Sequence, residues 1–148
     1  MKYSKYLKDL GMTRKDVFKL NHFGIRNELE RIKYGTNYHE MWSLDVVLAC
    51  EIYPKLKRLY DKYHYLCNFG DATLLNEIMT AQGNDLYDKT ADERFQKVLC
   101  AFETIIKIYS GLEEEQLDAD MFENIDSQYN KVKEGLKIFG EGFWGVGI

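Results

Sequence analysis

Three carboxylates lie beside the apolar stripes of predicted helices, where they could do chemistry together. Asp45, Glu103 and Glu134 each fall on a separate predicted helix. Helical bundles hold Mg²⁺ with Asp and Glu from facing helices, and water completes the octahedron. If the three converge, they predict the metal ligands and catalytic residues of a metal-dependent hydrolase, with a nucleotide as the candidate substrate. Alternatively, all three lie at stripe edges in solvent, as most helical carboxylates do.

Imidazoles and thiols give weaker patterns. His64 and Cys67 form the only His and Cys pair with a spacing typical of metal ligands. A structural zinc site needs four N or S ligands, commonly as two such pairs, so we predict no bound cofactor, with Mg²⁺ as the alternative. The cysteines at 50, 67 and 100 are odd in number and widely spaced, which favours three buried, reduced thiols over a disulfide framework.

The glycine patterns that bind phosphate groups are absent from the sequence. It contains neither GxxxxGK[ST] nor GxGxxG after a predicted strand. The glycines of segment 140–148 surround Phe143 and Trp144 instead, which predicts an aromatic plug that packs on the helices or on a partner. With Trp42 and Asp45, these two aromatic residues are the candidate binding residues. The incomplete ligand sets favour a protein that is not an enzyme.

Helices must position these side chains, because helical spacing is the one strong periodic signal. Segment 90–93 has the form of a capping box, and a helix of about five turns follows it to Gly111. Another run, 122–139, steps by three and four like a coiled-coil seam. Gly135 lies inside this run. Because a helical glycine costs about 1 kcal/mol relative to alanine, it predicts close approach of another element; the alternative is a tolerated weak spot on an exposed face. The helix that follows segment 90–93 has a predicted inner face of Phe95, Val98, Leu99, Phe102, Ile105, Ile106 and Tyr109. The predicted seam of the 122–139 run is Phe122, Ile125, Tyr129, Val132, Leu136 and Phe139.

A central helix is predicted to begin after Ser43, an N-cap residue type, with Asp45 in its first turn. Pro54 falls in its middle. Proline lacks an N–H and collides with the carbonyl four residues earlier, so we expect a kink or a break there. The predicted inner face is Leu44, Val47, Leu48, Ile52, Leu56, Leu59, Tyr60 and Tyr63.

Three shorter helices are predicted in residues 1–35. Residues 68–91 have few periodic positions and predict a long loop or domain edge, and no segment alternates like a strand. We therefore predict an all-α, single-domain bundle of five or six helices over residues 1–148. The three short helices carry Tyr3, Leu7 and Leu10 before Gly11; Val17 and Leu20 after a Thr13 and Asp16 cap; and Ile25, Leu29 and Ile32 before Gly35.

The net charge of -4 is unevenly distributed. Residues 1–34 carry +5, residues 35–69 carry 0 and residues 70–148 carry -9. The basic third could bind nucleic acid or pair with the acidic part of its own fold. The second interpretation is favoured, because +5 is modest beside the basic stripes of nucleic-acid binders. With no apolar stretch long enough to span a membrane and no signal-peptide pattern at the start, we expect a cytosolic protein without membrane contact.

Residues 42–58 carry the pattern W-S-x-D-x-x-L-A followed by I-x-P-x-L-K-R. This segment resembles the signature of an uncharacterised family of tailed-phage proteins. Residues 99–103 and 132–139 are similar to two further segments of that family, whereas the tail departs from its usual aromatic ending. The resemblance implies a small phage product in the cytoplasm of the infected host, with Trp42, Asp45 and Pro54 as the best-matching positions. It supplies no established activity.

Three functional classes follow from these observations. The first is a non-enzymatic protein that binds a host protein or a small ligand, which the absence of a complete catalytic set favours. The second is the metal-dependent hydrolase. The third is a virion or assembly component, in which the 122–139 run and the aromatic tail form repeated contacts between copies of the chain.

Overall fold

The described part of the chain is helical apart from short connections. The computed structural model describes residues 1–22, 24–63, 84–112 and 121–142, and these ranges hold seven helices and no strand. The all-α class is thus confirmed. The helix number exceeds the predicted five or six because the five-residue helix Tyr38–Trp42 was not predicted. The helices are α1 (Lys5–Asp9), α2 (Arg14–Asn21), α3 (Ile25–Tyr34), α4 (Tyr38–Trp42), α5 (Leu44–Tyr63), α6 (Asn84–Leu112) and α7 (Met121–Gly142).

The chain divides into two compact units. The first comprises Met1–Pro54 and Ile105–Gln116, and the second comprises Lys55–Thr104 and Leu117–Ile148. Helices α5 and α6 each contribute to both units. Pro54 lies inside α5, which continues as one helix, and the division between the units follows it directly. The predicted single domain stays a prediction. Of the predicted loop at 68–91, residues 68–83 lie outside the described residues, and residues 84–91 are helical, so the prediction was wrong for that part.

Local capping fixes the N-terminal helices as the sequence predicts. The Thr13 hydroxyl accepts a hydrogen bond from the Asp16 N–H at 3.2 Å, and Oδ2 of Asp16 accepts one from the Thr13 N–H at 2.6 Å. This reciprocal pair is a capping box and begins α2. Gly11 after α1 and Gly35 after α3 have φ of +88° and +78°, a left-handed conformation that favours glycine.

Helix α6 begins earlier than the sequence predicts. It starts at Asn84, so segment 90–93 lies inside the helix and does not cap it, and Gly111 lies within the last turn. The prediction was wrong because a capping box requires a non-helical backbone before it, and extending an existing helix by nearly two turns costs little free energy. Most of the predicted inner face is confirmed, because Phe95, Val98, Leu99, Phe102 and Ile106 are at most 5% exposed.

The inner face of α5 differs from the prediction in the first unit. Leu44 and Leu48, which were predicted to face inward, are 51% and 46% exposed. The periodicity is correct, but the helix is rotated relative to the predicted face. A sequence stripe this broad does not determine which of two adjacent rows packs on a neighbour. The buried row in this unit is Val46, Ala49, Cys50 and Tyr53.

Helix α7 packs through only part of the predicted seam: the Phe139 ring meets the Phe102 ring edge-on at 5.3 Å between centroids, and the row that holds Gly135 is buried beside it. Tyr129 and Leu136 of the seam are 64% and 39% exposed, whereas Gly135 and Ile138 are buried. The close contact at Gly135 explains why the row that holds this glycine faces α6. A Cβ atom at position 135 would lie 2.5 Å from Cβ of Ala101 and closer still to the carbonyl oxygen of Lys97. The predicted close approach of another element at this glycine is therefore confirmed, and that element is α6.

We predict that Gly135→Ala destabilises the fold, because the added methyl group meets the α6 backbone. The expected loss in the free energy of unfolding is about 1–3 kcal/mol, the usual cost of overpacking. Gly140→Ala is the matched control. Position 140 also lies in α7, but a Cβ there meets nothing within 4 Å, so this variant should be neutral or more stable by up to about 1 kcal/mol. Urea denaturation measures both, and equal effects would contradict the close packing of α6 and α7.

Candidate functional site

Helix α3 is attached to the first unit by its polar face. The Asn27 amide donates to the carbonyl oxygen of His22 at 2.6 Å, and a Glu30 carboxylate oxygen accepts the backbone N–H of Tyr38 at 3.0 Å. Arg31 lies on the same side of the helix and reaches both α2 and α4. Its guanidinium donates to the Asn21 carbonyl, which α3 approaches closely. These bonds join α3 to the end of α2 and to α4 in one small polar cluster.

Arg31 also binds two carboxylates. Its guanidinium nitrogens lie 2.7 and 2.9 Å from one Glu40 oxygen, and it is paired with Glu28 one turn earlier in α3. The bond to Glu40 raises the pKa of Arg31. Burial acts to raise the pKa of Glu40, but hydrogen bonds from Arg31, the Asn37 N–H and Thr36 outweigh it, so the pKa of Glu40 is lowered. Glu40 is therefore an anion at neutral pH, and it holds α4 against α3.

The apolar face of α3 points away from these bonds. Ile25, Leu29 and Ile32 recur at spacings of four and three, and they are 85%, 61% and 81% exposed. No residue of α3 is buried. An amphipathic helix in a globular protein normally turns this face toward the core. We call these three residues the α3 stripe.

Further large apolar side chains are exposed beside α3 in the chain. On α4, the Trp42 ring meets the Tyr38 ring edge-on at 5.9 Å between centroids, and Trp42 is 74% exposed. Exposed apolar patches of this kind mark interaction sites more often than isolated exposed residues do. Tyr38, Met41, Leu44 and Leu48 are each between 46% and 55% exposed.

A buried amide supports α4 from below. Asn37 caps α4, since its side chain accepts the Glu40 N–H at 2.9 Å, and the residue is 1% exposed. Its Nδ2 has no hydrogen-bond partner among the described residues. Asn37 and Glu40 form a second capping box, so the start of α4 is well defined.

Two histidines stack where α2 meets α4. The His22 and His39 rings lie 4.5 Å apart between centroids at an angle of 21°. His22 caps α2 with φ of +44°, a left-handed conformation that is uncommon for residues other than glycine. Burial lowers the pKa of His22, and the positive charges of His39 and Arg31 lower it further, against an opposing contribution from Glu40. A neutral His22 is thus part of the folded arrangement.

The three carboxylates predicted to form a metal site lie on α5, α6 and α7, each in its own local setting. Glu103 and Glu134 share the second unit, but Glu134 pairs with Lys97 at 2.6 Å, whereas Glu103 is half-buried in a cleft beside Lys57. Asp45 belongs to the first unit and is exposed. Within the described residues, no group of three His, Cys, Asp or Glu could hold a metal ion. The hydrolase with its Mg²⁺ stays a prediction.

The remaining candidate residues have mixed outcomes. Trp42 is exposed at the end of α4, and its role as a binding residue stays a prediction. Phe143 and Trp144, and the pair His64 and Cys67, lie outside the described residues. Cys50 is a free, buried thiol whose pKa is raised to about 12 by burial and by the neighbouring Glu51. Cys100 is also free but is exposed, so the prediction of a buried thiol was wrong at this position.

A shallow cleft of about 280 Å³ lies in the second unit. Its polar groups are largely bound to one another. The Tyr60 hydroxyl donates to Asp92 at 2.7 Å, and the Gln96 amide donates to the same hydroxyl at 3.0 Å. Lys57 binds Asp61 at 2.6 Å, a bond that raises the pKa of Lys57. The cleft is lined by Lys57, Tyr60, Gln96, Leu99, Cys100 and Glu103.

The comparisons with known proteins leave the geometry as the guide to function. No protein-family model, no curated protein and no solved structure matches the chain. The resemblance to the tailed-phage family therefore stays a prediction. No helix among the described residues is long and apolar enough to cross a membrane.

We predict that stability falls as the pH drops below about 6.5, the ordinary pKa of histidine. Because the pKa of His22 is lowered in the folded protein, the unfolded chain binds more protons between that lowered value and 6.5. The stabilisation is fully present above pH 6.5 and is lost as the pH falls through the lowered pKa.

The variant His22→Asn tests this, because asparagine tolerates the left-handed backbone and does not titrate. Its free energy of unfolding should change less between pH 7.5 and pH 5 than that of the parent protein, by urea denaturation. His39→Gln serves as a partial control, since it removes one neighbouring charge and keeps His22. A His22→Asn variant with the parent's full pH dependence would contradict the assignment.

Proposed function

We propose that the chain is a non-enzymatic, phage-encoded protein that binds a host protein in the cytoplasm of the infected cell. The orientation of α3 carries the proposal. Arg31, Asn27 and Glu30 hold the helix by its polar side, so the α3 stripe is presented to solvent. Covering an Ile or Leu side chain contributes roughly 1.5–3 kcal/mol. Three such residues on two turns of helix form an exposed apolar row of the kind that marks interaction sites.

A protein partner explains the exposed apolar side chains better than a small ligand does. The cleft in the second unit is shallow, and Tyr60, Gln96 and Lys57 already bond to Asp92 or Asp61. The α3 stripe, by contrast, has no polar bonds to break and continues in chain order to exposed Trp42. Small-ligand binding in the cleft, a metal-dependent hydrolase and assembly of identical copies are the alternatives. Exposed Tyr129 and Leu136 on α7 favour the assembly of identical copies among these alternatives.

We predict that the double substitution Ile25→Asp and Ile32→Asp leaves the thermal stability of the free chain nearly unchanged. Both side chains are more than 80% exposed, and exposed substitutions usually shift stability by no more than about 0.5 kcal/mol. Ile106→Asp is the matched control, because Ile106 is fully buried and its replacement by a charge should prevent stable folding. Calorimetry of the purified proteins compares them. A large loss of stability in the double variant would mean that the chain itself covers the α3 stripe.

The binding function is tested by photo-crosslinking in host cells that express the protein. A photoreactive amino acid at Leu29 should give a discrete protein adduct, and the Ile25→Asp and Ile32→Asp substitutions should reduce its yield at least tenfold. The same amino acid at Asn130, an exposed position on α7, is the control. An adduct at Leu29 that survives both substitutions, or an equal yield at both positions, would contradict the proposal.

A further inference from the structure

The charges beside the α3 stripe differ on its two flanks. Arg26 and Lys33 lie three residues before and four residues after Leu29, so they share one flank of the helix. Arg26 is 91% exposed and lies 3.4 Å from Glu30. Because the pair is at the surface, it contributes little to stability. Lys33 has no ion-pair partner among the described residues, and its ammonium lies 5.0 Å from the centroid of the Tyr34 ring. This flank therefore presents two accessible cations.

The opposite flank is already neutralised. Glu28 lies three residues after Ile25 and four before Ile32, and it is bound by Arg31. Arg31 in turn is held by Glu40 and the Asn21 carbonyl. Glu28 therefore offers little free charge to an incoming molecule. The α3 stripe is an apolar row with a basic edge on one side only.

From this arrangement, and resting on the proposed function, we infer that the α3 stripe binds an amphipathic helix of the partner protein with acidic residues along one edge of its apolar face. The stripe extends from Ile25 to Ile32, eight residues and about 10 Å of helix, which matches apolar anchors at positions i, i+4 and i+7 of a second helix. Acidic residues on the partner would meet Arg26 and Lys33. The +5 charge of residues 1–34 would steer the approach of such a segment.

A second copy of the chain fits this surface less well. In antiparallel packing about a two-fold axis, equal flanks meet, so Arg26 of one copy would face Lys33 of the other. In parallel packing, the basic flank would meet Glu28, which already binds Arg31. An anionic bilayer is also a weaker match, because α3 has only ten residues and two of its five charges are acidic.

The test uses synthetic helical peptides as probes. A labelled 15-residue peptide with Leu at i, i+4, i+7 and i+11 carries Glu along one edge, and a second peptide carries Lys at the same positions. Fluorescence anisotropy measures binding to the purified chain at about 0.05 M salt, where the Debye length exceeds 10 Å. We expect the Glu peptide to bind about fivefold tighter or more, and the preference to shrink at about 1 M salt.

Charge reversal makes the test specific to the flank. The double variant Arg26→Glu and Lys33→Glu should reverse the preference between the two peptides. Lys137→Glu, at an exposed lysine of α7, is the control and should leave the preference intact. The double variant Ile25→Asp and Ile32→Asp should abolish binding of both peptides.

Four outcomes would overturn the inference: equal binding of the two peptides, binding of neither, binding to anionic vesicles that depends on the stripe, or dimerisation of the free chain that Ile32→Asp abolishes. Sedimentation of the protein with phosphatidylserine vesicles and analytical ultracentrifugation detect the last two. An adduct at Leu29 in cells together with no peptide preference would refute the acidic-helix partner and keep the binding function. Loss of both would refute the binding function itself.

Discussion

The hydrogen bonds and ion pairs of the Arg31 guanidinium are the interactions on which the exposed α3 stripe depends. The guanidinium donates to the Asn21 carbonyl at the end of α2, pairs with Glu28 in its own helix and binds Glu40 in α4. Charge-assisted bonds of this kind are roughly twice as strong as neutral ones, and the planar fork of arginine fixes their directions. Because α3 carries its anchor on its polar side, its apolar side has to face outward. An uncovered apolar row is thus a consequence of how the helix is attached.

The same cluster contains the groups whose charge depends on pH. The hydrogen bond from Arg31 helps to lower the pKa of Glu40, and burial, followed by the charges of His39 and Arg31, lowers the pKa of His22. The α4 helix that bears Trp42 is positioned by Glu40 and by the buried Asn37 cap. The exposed aromatic pair and the α3 stripe are therefore held by one set of polar bonds. A change that weakens this cluster would disturb the stripe without touching any of its apolar residues.

Several features could be read from the sequence because their causes are local. The Thr13 and Asp16 capping box joins residues three apart, and Gly11 and Gly35 end their helices through their own backbone freedom. Gly135 predicted a close contact, because a glycine inside a helix lowers stability unless another element packs against it. The burial of Phe95, Val98 and Phe102 followed from a stripe too apolar to face water. In the candidate site, the sequence identified Trp42 and the row of Ile25, Leu29 and Ile32, but not the direction in which that row points.

The sequence by itself determined the helical class, the spacing of the apolar rows and the ends of the N-terminal helices, because these depend on contacts between residues three or four positions apart. The tertiary structure alone decided which row each helix buries. Leu48 and Leu136 are exposed although both lie in predicted inner rows, and α3 is turned with its apolar row outward. The physical reason is that burial of a helix face depends on what the neighbouring helices offer. For α7 that is a close approach at Gly135, and for α3 it is a carbonyl and a carboxylate that bind Arg31.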